Sequence, residues 1–211
     1  MKYTHIIWDF NGTLFADMDA GILSVNTMLS ERSLPTIESM EQYREVFKFP
    51  IIEYYRDLGF DFDAEPYEVL APIWVELYNE NSKRSTLQKD ALQALEHFKA
   101  LGIPQILLSA TELSMLKEQI AGLKIGSYFS EVMGLSNIHA YSKKALAIAW
   151  KERNPHAVPL FIGDTEHDAE VANAVGADCI LVANGHKDEK QLKTLGLPVY
   201  PSLEAVISKL K

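Results

Sequence analysis

Five residues of this 211-residue chain carry reactive groups at places where the backbone should turn into a crevice. Asp9 follows the β-rich apolar run Tyr3 to Trp8 and opens the turn-like segment Asp9-Phe10-Asn11-Gly12-Thr13. Ser109 stands after a second apolar run, Pro104 to Leu108. Asp164 and Asp168 share Gly163-Asp164-Thr165-Glu166-His167-Asp168, directly after the run Leu160 to Ile162, and Lys143 opens the helical stretch before that run. A carboxylate, a hydroxyl, a lysine and an acidic pair from separate segments suit phosphoryl transfer. The carboxylate can act as a covalent nucleophile. A hard divalent cation held by carboxylate oxygens neutralises and orients a phosphoryl group. Lysine and hydroxyl groups hold its remaining oxygens.

Each residue also has an ordinary structural use. An aspartate after a strand often only shapes a turn, and Asp164 or Ser109 can cap a helix. Lys143 competes with Lys144 next to it. A lysine at a helix start opposes the dipole there, so its placement implies a charged partner. His167 and His139 fall near the same segments and read as structural. Asp17 and Asp19 read as helix-capping and hinge groups.

The elements that must position these residues change rhythm along the chain. Between Asp19 and about Ser82 only helical patterns appear: one carrying Ile22, Val25, Leu29 and Arg32, one at Tyr43 to Phe47, one at Ile51 to Leu58, and one opened by Pro66 with Val69, Ile73 and Leu77 on a face. Helix patterns at Asp90–Leu101, Leu113–Ala121, Ser142–Arg153, Ala169–Val175, Asp188–Leu195 and Leu203–Leu210 then alternate with short strands at Pro104–Leu108, Val132–Met133, Leu160–Ile162, Cys179–Val182 and Val199. Such alternation gives right-handed βαβ units and a parallel sheet buried on both faces. The expected fold is therefore α/β, a doubly wound, Rossmann-like parallel sheet formed by residues 1–14 and 86–211. Residues 15–85 form an all-helical insert, with connections near Phe15 to Asp17 and Lys83 to Thr86. Ligands of such sheets sit beyond the carboxyl ends of the strands.

Composition narrows the partner. The net charge is −9, with 29 acidic against 20 basic residues and no basic cluster, which argues against nucleic acid and for a small molecule. Cys179 is the only cysteine, so an internal disulfide and a cysteine-built zinc site are excluded, and a reducing, cytoplasmic setting is expected. The segment before Asp9 is too short for a secretory leader, and no apolar run approaches the ~18 residues of a membrane span. A monomer is expected, because no exposed apolar stripe is evident.

Asp9-Phe10-Asn11-Gly12-Thr13-Leu14 resembles the first motif of the haloacid dehalogenase-like superfamily, usually Asp-x-Asp-Gly-Thr-Leu. Ser109 resembles its second motif, Lys143 its third, and Gly163-Asp164-Thr165 with Asp168 its fourth. The helical insert resembles the family's small cap, and the Trp-Asp-Phe-Asn-Gly-Thr start resembles phosphoglycolate phosphatase-like members. The resemblance implies a magnesium-dependent phosphatase for a small phosphorylated metabolite. It implies that Asp9 is the nucleophile and a metal ligand, joined by the backbone carbonyl of Asn11 and by Asp164, with Asp168 supporting the metal's outer shell. Ser109, the Ala110 amide and Lys143 would hold the phosphoryl oxygens.

One position departs from the pattern. Asn11 stands where the family usually has a second aspartate that serves as general acid and then base, help worth on the order of 10²–10⁴ in rate. Turnover should be slowed rather than lost, and Asn11→Asp is expected to speed substrates with poor leaving groups. Rival expectations are a phosphate-binding protein weakened by Asn11, a dehalogenase, and a phosphonate hydrolase with Lys48 as a Schiff-base candidate. The insert aromatics Phe47, Phe49, Tyr54, Tyr55, Phe60 and Trp74 read as insert core, with some facing the substrate.

Overall fold

The computed structural model describes residues 2–139 and 142–210; Met1, Lys211 and the Ala140-Tyr141 pair lie outside the described residues. The chain opens with β1 (His5–Trp8), β2 (Phe15–Ala16), and the helices α1 (Met18–Glu31), α2 (Met40–Val46), α3 (Ile51–Asp57) and α4 (Tyr67–Asn81). It continues through β3 (Thr86–Leu87), α5 (Ala91–Ala100), β4 (Gln105–Glu112), α6 (Leu113–Gly122), β5 (Glu131–Leu135) and α7 (Lys144–Arg153). It closes with β6 (Pro159–Gly163), α8 (Glu166–Ala174), β7 (Asp178–Val182), α9 (Glu189–Lys193), β8 (Val199–Tyr200) and α10 (Leu203–Lys209). No described helix is long and apolar enough to cross a membrane.

Six strands form one parallel sheet in the order β5-β4-β1-β6-β7-β8. Their side chains alternate between two cores, as a sheet covered on both faces requires. Ile6 and Trp8 of β1, Leu107 of β4 and Ile162 of β6 join Phe98 of α5, Leu116 of α6 and Val206 of α10 on one face. Ile7, Ile106, Leu108 and Phe161 point the other way, against Trp150 of α7, Val171 of α8 and Leu192 of α9. Trp8 can occupy the central strand because its indole N–H donates to Gln105 Oε1 at 2.9 Å, and Gln105 Nε2 donates to the Leu95 carbonyl at 2.9 Å. The strand order reverses on either side of β1, so the carboxyl ends of β1, β4 and β6 face one crevice, the usual ligand position of such sheets.

Helices α1 to α4 pack around their own core, in which Val25, Met28, Leu29, Tyr43, Tyr55 and Leu70 are buried. The face expected on α4 is found in part: Ile73 and Leu77 are half-buried and pack against this core, but Val69 is 50% exposed, and the fully buried positions are Tyr67, Leu70, Ala71 and Tyr78. Two tyrosine rings therefore share the packed side with Leu70 and Ala71. Two elements carried no sequence signal. β2 and β3 pair antiparallel, Phe15 opposite Leu87 and Ala16 opposite Thr86, so the two chain segments leading into and out of the helices are joined as a ribbon.

Phe98 is wholly buried at the centre of one core and meets Trp8 edge-on at 5.7 Å. Phe98→Ala should lower unfolding stability by about 3–5 kcal/mol, the usual cost of deleting a buried ring. Urea unfolding followed by circular dichroism checks it, and a loss below about 1 kcal/mol would show that this core closes over the gap.

Candidate active site

The loop after β1 is a tight turn in which the Phe10 carbonyl accepts from Leu14 N and Phe15 N, each at 2.9 Å. Gly12 adopts φ +74°, and a Cβ there would overlap Asp164 Oδ2, so the position needs glycine for both conformation and space. Asp9 leaves β1 with its amide on the Ile162 carbonyl at 2.9 Å, which locks it to the end of β6. Asp164 follows β6 with both oxygens engaged: Thr13 Oγ1 donates to Oδ1 at 2.7 Å and His186 N to Oδ2 at 2.7 Å. Asp168 sits one turn into α8 and reaches back, its Oδ2 accepting from Asp164 N, Thr165 N and Thr165 Oγ1 at 3.1, 3.0 and 2.8 Å. That reciprocal cap explains why the acidic pair is spaced four apart.

Lys143 resolves the choice between the two lysines: it is buried at the start of α7, whereas Lys144 is exposed. Its ammonium pairs with Asp9 Oδ1, lies 2.6 Å from Asp168 Oδ1 and reaches the Leu108 carbonyl at 3.3 Å. The charged partner that its unfavourable dipole position implied is therefore present twice. Burial alone would lower its pKa, but Asp168 and Asp9 outweigh that and hold it above the ordinary lysine value.

Three carboxylates, of Asp9, Asp164 and Asp168, place oxygens within 4.8 Å of one another. One lysine cannot balance three acidic groups. Burial, then the Asp168 charge, pushes Asp9 well above its ordinary pKa, and the same two causes push Asp164 up to about 7. Burial would raise Asp168 too, yet the Lys143 charge and hydrogen bond dominate and hold it low. A buried, oxygen-only donor set with surplus negative charge fits a hard divalent cation such as Mg²⁺.

Ser109 is not at a strand end as expected. β4 continues to Glu112, with an irregularity in its pairing to β5 between Leu108 and Glu112, and Ser109 lies buried within it. Ser109 and Ala110 nevertheless line a small pocket of about 30 Å³ with Asp9, Asn11, Lys143, Thr165 and His167. The Ser109 hydroxyl lies 2.9 Å from Thr111 Oγ1 and 3.3 Å from Asn11 Oδ1, with one proton to share. His167 also carries the insert's Phe49 on its ring, stacked at 4.7 Å. His139 lies away from that pocket, its carbonyl accepting from Tyr67 Oη at 2.9 Å. Lys48 pairs with Asp57 and lines neither this pocket nor the larger chamber above it, so it does not support a Schiff-base role.

Asn11 is fully committed. Its Nδ2 donates to Asp17 Oδ2 at 2.7 Å and Tyr78 Oη at 2.9 Å, while Oδ1 accepts from Thr111 Oγ1 at 2.8 Å. The carboxylate can only accept, which fixes the amide's orientation. Asp17, expected to cap α1, makes no side-chain cap there; it takes Gly12 N at 3.0 Å and Tyr78 Oη at 2.5 Å as well. Sequence reading also missed the loop after β7. A Cβ on Gly185 would overlap Asp164 Oδ2, and His186 joins the sheet to the insert through Tyr43 Oη at 2.7 Å and a stack on Phe47 at 4.4 Å. Lys187 adds bonds to the carbonyls of Arg44 and Phe47 at 3.1 and 2.5 Å. The Asn184-Gly185 step was the available signal, a turn dipeptide directly after a buried strand.

Two outcomes follow from these charges. Asn11→Asp would set a second carboxylate against Asp17, so it should cost stability at pH 7.5, on the order of 1–3 kcal/mol for a broken buried bond. Asp17→Asn in the same chain should recover most of it; a double-mutant cycle with no coupling would refute this pairing. The simple gain expected of Asn11→Asp did not count Asp17. For metal-free protein, Asp164 is raised in the folded state from an ordinary 3.8 to about 7. Its contribution is complete below the lower value and is lost as pH rises through the higher one. The melting temperature in chelator should therefore fall between pH 5 and 7.5, and Mg²⁺ should restore more at pH 7.5 than at pH 5. A flat profile in chelator would contradict the crowding of charge.

The family model for haloacid dehalogenase-like hydrolases matches residues 6–182. A phosphoglycolate phosphatase of Pseudomonas syringae pv. tomato is 22% identical over 191 residues, 86% of this chain and 70% of that protein. Among solved structures, a haloacid dehalogenase-like family hydrolase from Streptococcus pneumoniae superposes with a TM-score of 0.84 at 19% identity, covering 99% of both chains. A protein of Haemophilus somnus assigned as a phosphoglycolate phosphatase superposes with a TM-score of 0.80 at 16% identity, covering 100% of this chain and 99% of its own. With the matched segment running from β1 through β7, the chain belongs to the haloacid dehalogenase-like hydrolases.

Proposed function

We propose that this chain is a magnesium-dependent phosphatase for a small phosphate monoester, working through a phosphoaspartyl intermediate on Asp9. The observation that carries the reading is the clustering of Asp9, Asp164 and Asp168 beside the buried ammonium of Lys143. Mg²⁺, held by Asp9, Asp164 and the backbone carbonyl of Asn11 with Asp168 behind them, would neutralise phosphoryl charge. Asp168 suits the outer position, since its Oδ2 already takes three hydrogen bonds and its Oδ1 the lysine.

Lys143 keeps Asp9 oriented and supplies positive charge to the phosphoryl oxygens, with Ser109 and the Ala110 amide as further donors in the same pocket. An Asp9 oxygen forms the O–P bond as the ester P–O bond breaks; the electron pair leaves with the alcohol oxygen, which takes a proton from water. A second water then attacks phosphorus, loses its proton to solvent, and returns Asp9 as carboxylate with inorganic phosphate. Asn11 has no proton to give, so good leaving groups should react fastest. The helical insert acts as the cap, closing the crevice through Phe49, His186 and Lys187 contacts.

Asp9→Asn should abolish hydrolysis of 4-nitrophenyl phosphate while leaving the circular dichroism spectrum unchanged. Chelator should silence the unaltered chain and Mg²⁺ revive it. Near-native turnover in the variant would remove Asp9 as nucleophile, and full activity in chelator would remove the metal ion from the reaction.

A further inference from the structure

Beside the small pocket at Asp9 lies a second, larger space. A chamber of about 110 Å³ sits between the helical insert and the carboxyl end of the sheet, walled by Phe49, Tyr54, Tyr55, Trp74, Tyr78 and Met115. Asn11, Phe49, Ala110 and His186 line both the chamber and the small pocket. A phosphoryl group seated at Asp9 therefore directs its ester substituent into an aromatic box.

The charge of that box is one-sided. Asp17 and Glu112 line it, and no lysine or arginine does among the described residues. Cations of the neighbouring segments are committed elsewhere: Lys143 to Asp9 and Asp168, Lys187 to two carbonyls of the insert, Arg44 to the Gly185 carbonyl at 3.0 Å. A carboxylate entering the chamber would lose its water against two acidic side chains, and a buried charge without a partner is strongly disfavoured. A ring gains instead, since aromatic walls both exclude water and stack. The size is of the right order: an apolar cavity of about 150 Å³ takes a benzene, and this chamber of about 110 Å³ shares part of its lining with the pocket beside Asp9. Tyr54 adds one polar requirement. It lines the chamber, and its buried hydroxyl has no hydrogen-bond partner among the described residues. Such a hydroxyl left unsatisfied is destabilising, and a ligand acceptor would relieve it.

We infer that the alcohol portion of the substrate is uncharged, about one ring in size, apolar on its faces and equipped with a hydrogen-bond acceptor, and that it is not a carboxylate such as glycolate. This rests on the phosphatase reading above and specifies its substrate class. Three phosphates assayed with Mg²⁺ separate the two ideas. Acetyl phosphate needs little of the chamber and reports the Asp9 chemistry. Benzyl phosphate should exceed phosphoglycolate in kcat/KM by roughly tenfold or more, the scale on which a pocket discriminates by shape and polarity. Hydrolysis of acetyl phosphate with phosphoglycolate equal to or better than benzyl phosphate overturns the substrate class and leaves the phosphatase intact.

Calorimetric titration of benzylphosphonate and phosphonoacetate into Mg²⁺-loaded protein decides the chamber's preference even without turnover. Tighter binding of benzylphosphonate is expected; tighter phosphonoacetate, or binding of neither, overturns the inference. Met115→Lys, which swaps one flexible chain for another of similar length bearing a charge, should shift the preference toward phosphonoacetate. An unshifted preference would show that the chamber does not select.

Discussion

Lys143 brings one positive charge into a crevice already holding three carboxylates, Asp164 and Asp168 buried and Asp9 part-buried, and the surrounding backbone is arranged around that imbalance. Its ammonium spans Asp9, just after β1, and Asp168 on α8, so it ties the end of the central strand to the helix that follows β6. A buried ion pair formed this way adds little to stability by itself, because desolvation offsets most of the attraction. What it fixes is position. Asp168 is held low enough to stay ionised, while Asp9 and Asp164 carry the strain of like charge at short range. The glycines Gly12, Gly163 and Gly185 stand where any side chain would strike Asp164 or Asp168. Three backbone approaches of that kind show how closely the chain is drawn around the acidic cluster.

The sheet and its helices were legible because period-two burial and 3.6-residue periodicity leave long traces in sequence. The site positions were legible for a related reason: Asp9 and Asp164 follow buried apolar runs, where the chain must turn. β2 and β3 were not, since two residues carry no period. β4 was read too short because Ser109 to Glu112 is polar and irregular, and only pairing with β5 keeps it in the sheet. Asp17 was read as a helix cap for want of long-range information. Its partners Asn11 and Tyr78 lie 6 and 61 residues away, and only tertiary packing joins them. The buried side of α4 was read only in part, since Tyr67 and Tyr78 are ambiguous in hydropathy, polar at the tip and apolar along the ring.

Asn11 illustrates how a local departure is absorbed by its surroundings. An amide is both donor and acceptor, and here it satisfies Asp17 on one side and Thr111 on the other. A carboxylate at that position could serve only the second of those partners. The substitution and the neighbouring aspartate therefore form one unit, and the character of residue 11 cannot be judged apart from residue 17.

The ribbon of β2 and β3 has a kinematic consequence. A lid on two independent tethers can tilt, slide and twist. Paired antiparallel, with Phe15 opposite Leu87 and Ala16 opposite Thr86 and with Gln88 N donating to the Leu14 carbonyl at 2.8 Å, the tethers form one twisted strap. Were the helical insert to move as a lid, its rotation would be channelled about the strap's long axis, with sideways translation suppressed. Because Phe15 stacks on Phe10 at 5.0 Å and Gln88 Nε2 holds the Gly12 carbonyl at 2.8 Å, the foot of that strap is anchored in the Asp9 loop itself. Torque on such a lid would be delivered at the base of the crevice.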